Sequence, residues 1–375
     1  MLSYTITPEL TKKLKKINEI GSQNMAFLKA ASSENLDAIR RYARISNIGA
    51  STRIENATLT DTEVAWMDAL LQEDSRLESF RRHKIDIENK FSKDKERSIE
   101  EVAGLRSVIN IIHAQSKEMF PLTEITLRGL HKELLQYYPK ASHYLGRYKI
   151  APNSVVEIMG GKIRRDVFRT AYPGPITNVA MKELVDWYNK VLPEHPWAIA
   201  VVTEFVYRFL AIHPFQDGNG RLGRALFQLG ILQSNDEILS SNMSYLAIDR
   251  YIEKNKEEYY YVLRQCSGGR FHENPKKYKI EHFLHFMLKI FKEAIEHDII
   301  FYIDKHIAFG ELTDTARAIL DCFKEHPEVR FNTKKLVEYT KLPRRTVNYI
   351  LKQLVEKEFL QRSGKGAGVK YQLAF

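Results

Sequence analysis

Read for hydrophobic spacing alone, the chain is a succession of helices with two interruptions. Apolar residues recur at three- and four-residue steps in Leu10, Leu14, Ile17 and Ile20, then in Leu36, Ile39, Tyr42 and Ile45, which predicts helices across residues 1–50. The same period returns from Ile99 through Val102, Leu105, Val108 and Ile109, and again over 122–135, 181–192, 251–263 and 275–305. The segment 196–212 is different. Trp197, Ile199, Val201, Val202, Phe205, Val206, Phe209 and Leu210 cover most of its circumference, so it reads as a helix buried in a core. The first interruption lies at 145–176. There 155–159, Gly160-Gly161 and 162–168 read as strand, turn and strand. A lone hairpin is marginal unless it packs or works. The second follows Gly310, where helices over 316–323, 333–339 and 346–356 lead into strand, glycine-rich tip and strand.

Charge changes this picture locally. Residues 72–101 are dense in Glu, Asp, Arg and Lys with the signs mixed, the pattern of a solvated helical hairpin or linker. The formal net charge of +10 over 375 residues is moderate. The last 63 residues hold 13 Lys or Arg against 7 Asp or Glu, a net charge of +6. Cys266 and Cys322 have no metal-like spacing and form no disulfide framework. No run of 18 apolar residues predicts a membrane span, and the N-terminus lacks an apolar signal core, so the chain reads as cytoplasmic.

Chemistry concentrates in one stretch, His213-Pro-Phe-Gln-Asp217-Gly218-Asn219-Gly220-Arg221-Leu222-Gly223-Arg224. His213 ends the buried helix and is suited to general-base work. Gly218-Asn219-Gly220 can take positive φ and bring backbone close to a ligand. A second periodic helix starts at Arg221, so the turn offers free N–H groups and a positive dipole end to a phosphate. Arg221 and Arg224, three residues apart, reach the same anion. Asp217 is the kind of ligand Mg²⁺ takes when substrate phosphates supply the rest.

The stretch resembles the signature of the Fic family, His-x-Phe-x-Asp/Glu-Gly-Asn-Gly-Arg-x-x-Arg, filled here at every fixed position. The resemblance implies a mainly α fold and transfer of AMP from ATP to a Ser, Thr or Tyr hydroxyl of a protein target, or of the enzyme itself. His213 would be the catalytic base. Asp217, Gly218, Asn219, Gly220, Arg221, Leu222, Gly223 and Arg224 would bind ATP, with Mg²⁺ on Asp217 and the γ-phosphate on Arg224. Tyr259 and Tyr260 would border the adenosine. The hairpin, about 155–170, resembles the family's flap, whose edge takes up the target as an added strand at Ile158, Met159, Gly160 and Gly161.

Upstream, Ser51-Thr-Arg-Ile-Glu55-Asn56 has two readings. Locally, Thr52 and Glu55 fit a capping box for a short helix. The hexapeptide is also similar to the family's inhibitory motif, Ser/Thr-x-x-x-Glu-Gly/Asn. That likeness implies a short helix, braced by Ser51 and closed by Asn56, whose Glu55 pairs with Arg224 in place of the γ-phosphate.

These readings divide the chain into an N-terminal helical region with the inhibitory motif (1–100), a catalytic core with the flap (101–305) and a module similar to a winged helix-turn-helix (311–375). In that module 346–356 would enter a DNA groove with Arg344 and Arg345 at its start, although many winged helices bind protein. A homodimer fits the resemblance. Three alternatives stay open: transfer of UMP, phosphocholine or phosphate; removal of AMP from modified targets; and a DNA-binding regulator whose Fic-like part senses nucleotide.

Overall fold

The computed structural model describes residues 1–71, 77–91, 93–159, 162–364 and 366–374. Helix α1 (Pro8–Ala30) starts where the Thr7 hydroxyl accepts from the Leu10 amide and Pro8 fills the first turn. Helix α2 (Ser33–Ile54) starts at Ser32 by the same device. Its second half, from Ile45 onward, is buried almost all round. The chain leaves α2 through Asn56 at φ 72°, a left-handed position that Gly or Asn takes at low cost.

The local capping-box reading of Thr52 and Glu55 is not what forms. Thr52 lies inside α2 with its hydroxyl donating back to the Ile48 and Gly49 carbonyls, and Glu55 is the C-cap. The same signature eight residues on does form the box: Thr60 and Glu63 bond reciprocally and open α3 (Asp61–Leu70). The motif therefore sits on the last turn of a 22-residue helix rather than on a short one.

Within the charged stretch, helix α4 (Leu77–Lys90) buries Phe80 and Ile87, so the described part is not solvated throughout, while 72–76 and 92 lie outside the described residues. Then come α5 (Glu96–Gln115) and α6 (Glu124–Leu135). Strands β1 (Ser154–Met159) and β2 (Lys162–Arg169) pair antiparallel with two irregularities of register. The far end of β2 is tied down: the Arg169 amide donates to the Gly269 carbonyl, and Phe271 returns a bond to Arg169. Next come α7 (Pro175–Val191), α8 (Ala198–Ile212) and α9 (Asn219–Gln233).

The expected helix over 251–263 is broken at Asn255 into α11 (Ile248–Lys254) and α12 (Lys256–Gln265), after a short α10 (Glu237–Met243). Helix α13 (Ile280–Gly310) has the expected length but lies five residues further along than 275–305, and it packs against α1, α2 and α8. Every residue of α8 is buried, as its apolar circumference requires. One core runs from Leu10 to Ile303 around α8, α9 and α13. Each large side chain buried there contributes about 1.5–3 kcal/mol.

A second core lies within Ala316–Leu360. It is built by α14 (Asp314–Glu325), α15 (Thr333–Thr340) and α16 (Arg344–Glu356), followed by the hairpin β3 (Leu360–Ser363) and β4 (Lys370–Leu373). Among the described residues no helix is long and apolar enough to cross a membrane.

Candidate functional site

The turn between α8 and α9 is built from its backbone outward. His213 caps α8 in the left-handed region, φ 54°, and its amide donates to the Phe209 carbonyl. That reversal swings the chain out of the core while leaving the imidazole anchored to a fully buried helix. Asn219 then staples the turn: its carbonyl oxygen accepts from the Phe215 amide at 2.9 Å, and its NH₂ donates to the Phe215 carbonyl at 2.7 Å. Both the oxygen and the NH₂ of this side chain are thus engaged by the Phe215 backbone, and the residue is buried.

Within Gly218-Asn219-Gly220, Gly218 alone takes a positive φ, 79°. Gly220 is needed for space instead: a Cβ there would collide with the Glu55 carboxylate. Leu222 is in the core, and Gly223 lets α9 approach Leu210 of α8, so these two belong to packing. The remaining residues converge. Glu55, Asn56, His213, Asp217, Gly220, Arg221, Arg224, Tyr259 and Tyr260 line one cavity of about 340 Å³.

In that cavity His213 Nδ1 lies 3.2 Å from the Leu210 carbonyl, so Nδ1–H donates and Nε2 is left as an acceptor. Burial, and then the nearby Lys149 charge, push the imidazole down to about 4. At neutral pH it is uncharged. Burial works against the Asp217 charge, but Arg221, Arg97 and the Gly218 amide together hold its carboxyl below the usual range. Its Oδ2 accepts from Arg97 at 2.7 Å and its Oδ1 from the Gly218 amide and Arg221.

Arg224 is 3% exposed. Its Nε donates to the Ser51 hydroxyl at 2.7 Å, and its NH2 donates to the Ser51 carbonyl at 2.8 Å and to Glu55 Oε1 at 2.9 Å. Ser51 thus holds the arginine itself. Burial opposes the guanidinium charge, yet Glu55, Tyr259 and Asp249 raise its pKa above the ordinary value. NH1 of Arg224 and Nε of Arg221 are buried without a hydrogen-bond partner. Asn56 accepts from Lys256 at 3.2 Å, which ties the end of α2 to α12.

Residues 121–230 match the model of the Fic/DOC family. Over that stretch the chain is similar to a Fic domain. A Fido domain-containing protein of Dictyostelium discoideum is 35% identical over 97 residues, covering 22% of this chain and 64% of that protein, less than two thirds of its length. A Fic family protein from Desulfovibrio desulfuricans G20 shares the fold with TM-score 0.57 at 23% identity, over 100% of this chain and 98% of that one. A Fic domain-containing signaling protein from Bacteroides thetaiotaomicron gives 0.53 at 21%, covering 80% of this chain and 100% of that chain. Fic-1 from C. elegans gives 0.55 at 16%, over 80% and 73%. At these identities the structural likeness is one of fold. Fic domains are typically transferases.

The matched stretch of the Fic domain contains His213 to Arg224 but not Glu55, Tyr259 or Tyr260, which the tertiary fold delivers from outside it. The flap positions Ile158 and Met159 end β1, while Gly160 and Gly161 lie outside the described residues.

Several site residues escaped the sequence reading. His131 of α6 is wholly buried; its Nδ1 accepts from the Gly146 amide, so its Nε2–H donates to the Asp217 carbonyl, and the ring stacks on Phe215 at 3.9 Å. Lys149 donates to Asn153, Thr170 and the Ile212 carbonyl, joining the base of the hairpin to the end of α8, and burial lowers it to about 7. Asp249 is buried beside Ser51 and Arg224, and burial raises it to about 6. Arg97 and Glu101 of α5 reach Asp217 and Arg221. None carries a local signal, because each is an ordinary polar residue on a helix or loop far away in the chain.

Proposed function

We propose that the chain is an autoinhibited protein adenylyltransferase that moves AMP from ATP to a hydroxyl of a protein target, or of itself, and releases pyrophosphate. The observation that carries this reading is the pairing of Glu55 with Arg224 at 2.9 Å over Gly220, beside buried guanidinium donors that lack partners. Two arginines with donors to spare suit a polyphosphate, since buried N–H groups left unmade are costly. A carboxylate resting on the same fork competes with a γ-phosphate for it.

In this reading His213 Nε2 takes the proton of the acceptor hydroxyl as its oxygen attacks the α-phosphorus and the bond to pyrophosphate breaks. The first amides of α9 and the guanidinium of Arg221 stabilise the charge that develops on the departing group. Arg224 holds the γ-phosphate once Glu55 has left. The donor set fits Mg²⁺ in one respect: Asp217 is a carboxylate kept ionised next to the phosphate cradle, and Mg²⁺ held there would neutralise phosphate charge. Strand β1 presents an edge that suits an extended target segment.

Mass spectrometry after incubation with ATP tests the proposal. Glu55→Gly is expected to modify itself more than the wild type, and His213→Ala not at all. Equal modification of wild type and Glu55→Gly rejects the inhibitory role. Labelled ATP, UTP and CDP-choline offered in parallel separate AMP transfer from the other transfers, and loss of AMP from a purified modified target reveals the reverse reaction.

A separate observation favours a second role for the C-terminal module. Helix α16 exposes Arg344, Arg345, Asn348, Lys352 and Gln353 on one side, a face suited to nucleic acid. Gel shifts with and without the last 63 residues test it.

A further inference from the structure

Asp217 is bound on both oxygens. Its Oδ1 accepts from the Gly218 amide at 2.6 Å and from Arg221 at 3.3 Å, and its Oδ2 accepts from Arg97 at 2.7 Å. Arg221 and the Gly218 amide belong to the signature turn itself. Arg97 does not: it arrives from the first turn of α5, outside the stretch 121–230. Two further contacts place it beside the turn. The guanidinium lies 3.6 Å from the centre of the Tyr138 ring, and its Nε is held by Glu101 at 2.9 Å. Glu101 also pairs with Arg221 at 3.4 Å, which closes a ring of alternating charge through Arg97, Asp217, Arg221 and Glu101.

We propose that Arg97 is the resident counter-cation of Asp217, which a divalent metal must displace, so that the nucleotide site is closed twice over. Glu55 stands on Arg224 as an anion where a phosphate belongs, and Arg97 stands on Asp217 as a cation where a metal belongs. The inference rests on the nucleotide and metal reading given above. The physical ground is competition for one carboxylate oxygen. A metal ligated at the usual distance of about 2.1 Å and a guanidinium 2.7 Å from the same oxygen are like charges crowded on one lone-pair region. Arg97 can leave without unfolding anything, since its side chain is one-third exposed and anchored only by ionic and ring contacts. Tyr138 and Glu101 offer it a place beside the open site.

The test is equilibrium binding of ATP by calorimetry, with Mg²⁺ and with EDTA, using the full chain carrying Glu55→Gly and His213→Ala so that nucleotide enters and is not consumed. The readout is the ratio of the two affinities, the metal-dependent gain. Adding Arg97→Met or Arg97→Gln is expected to raise that gain about tenfold while leaving the EDTA affinity unchanged. Arg97→Lys keeps the competing charge and stays within about twofold of the reference. An unchanged gain in both neutral variants overturns the role of Arg97, as does a loss of EDTA affinity, which would make Arg97 a phosphate ligand instead. Adding Asp217→Asn separates the two levels of argument: it is expected to abolish the gain, and a gain that survives it, or no ATP binding in the reference protein, sinks the metal reading itself together with the inference.

Discussion

The two polar segments that meet at Arg224 differ in the balance of bonds that brace them. The turn from His213 to Gly220 is braced by short, neutral, buried hydrogen bonds: Asn219 to the Phe215 backbone and His131 to the Asp217 carbonyl. The end of α2 is braced by charge. Arg53 grips Glu253 with two nitrogens and Asp61 with a third, and Lys256 donates to Asn56. Arg53 and Glu253 keep 23% and 29% of their side-chain surface in contact with solvent. Buried neutral bonds have no substitute partner when broken, whereas an ion pair about a quarter exposed, such as Arg53–Glu253, exchanges in part with water and salt. On the proposed reading, the comparison separates a frame that must hold one geometry from a plug that can be withdrawn.

The largest effect should come from the frame's reactive end. In a Glu55→Gly background, His213→Ala is expected to lower AMP transfer by about 10²–10⁴-fold, read by incorporation of labelled AMP. Transfer at the parent rate would remove the base from the account. Next is the plug: Glu55→Gly alone should raise self-modification about tenfold or more, measured by intact mass over time.

The contrast between the two kinds of brace can itself be broken. Asn219→Ala strands the Phe215 amide and carbonyl in the core and is expected to cost roughly 2–4 kcal/mol in urea unfolding, with loss of transfer. Arg53→Ala should cost only roughly 1–2 kcal/mol, and it should raise self-modification because the plug is loosened. If Arg53→Ala destabilised the chain more than Asn219→Ala, or left self-modification unchanged, the distinction between frame and plug would be lost.

The smallest effect is electrostatic. Because burial and Lys149 depress His213, an NMR titration of its imidazole should show a midpoint near 4, below the ordinary 6.5. A depressed base stays neutral on acidification, so the acid limb of kcat/KM should fall only as pH drops well below 6.5. Lys149→Met removes the neighbouring positive charge and should move the midpoint upward.

Much of the candidate site is legible in the sequence. The signature turn, the buried helix ahead of it and the hairpin were all readable from period and composition, because each is a local pattern of side chains along one backbone segment. The hexapeptide ending in Asn56 was legible as a motif but not as a place: its Thr52-x-x-Glu55 spacing matched a helix start, whereas the segment is a helix end. The identical signature at Thr60 and Glu63 shows why local spacing could not choose between them. Asn219 shows a related gap: that its side chain staples the Phe215 backbone is visible only once the turn has folded.

What the sequence settled alone was the helical class, the position of His213 at the end of an apolar helix and the glycine turn that follows, since those depend on residues within a few positions of one another. What needed the folded molecule was every pairing across distance: Arg224 with Ser51 and Glu55, Arg97 with Asp217, His131 beneath the turn. A salt bridge or a buried hydrogen bond depends on separation in space and on exclusion of water. Neither quantity exists along the chain until the core around α8 and α13 has formed.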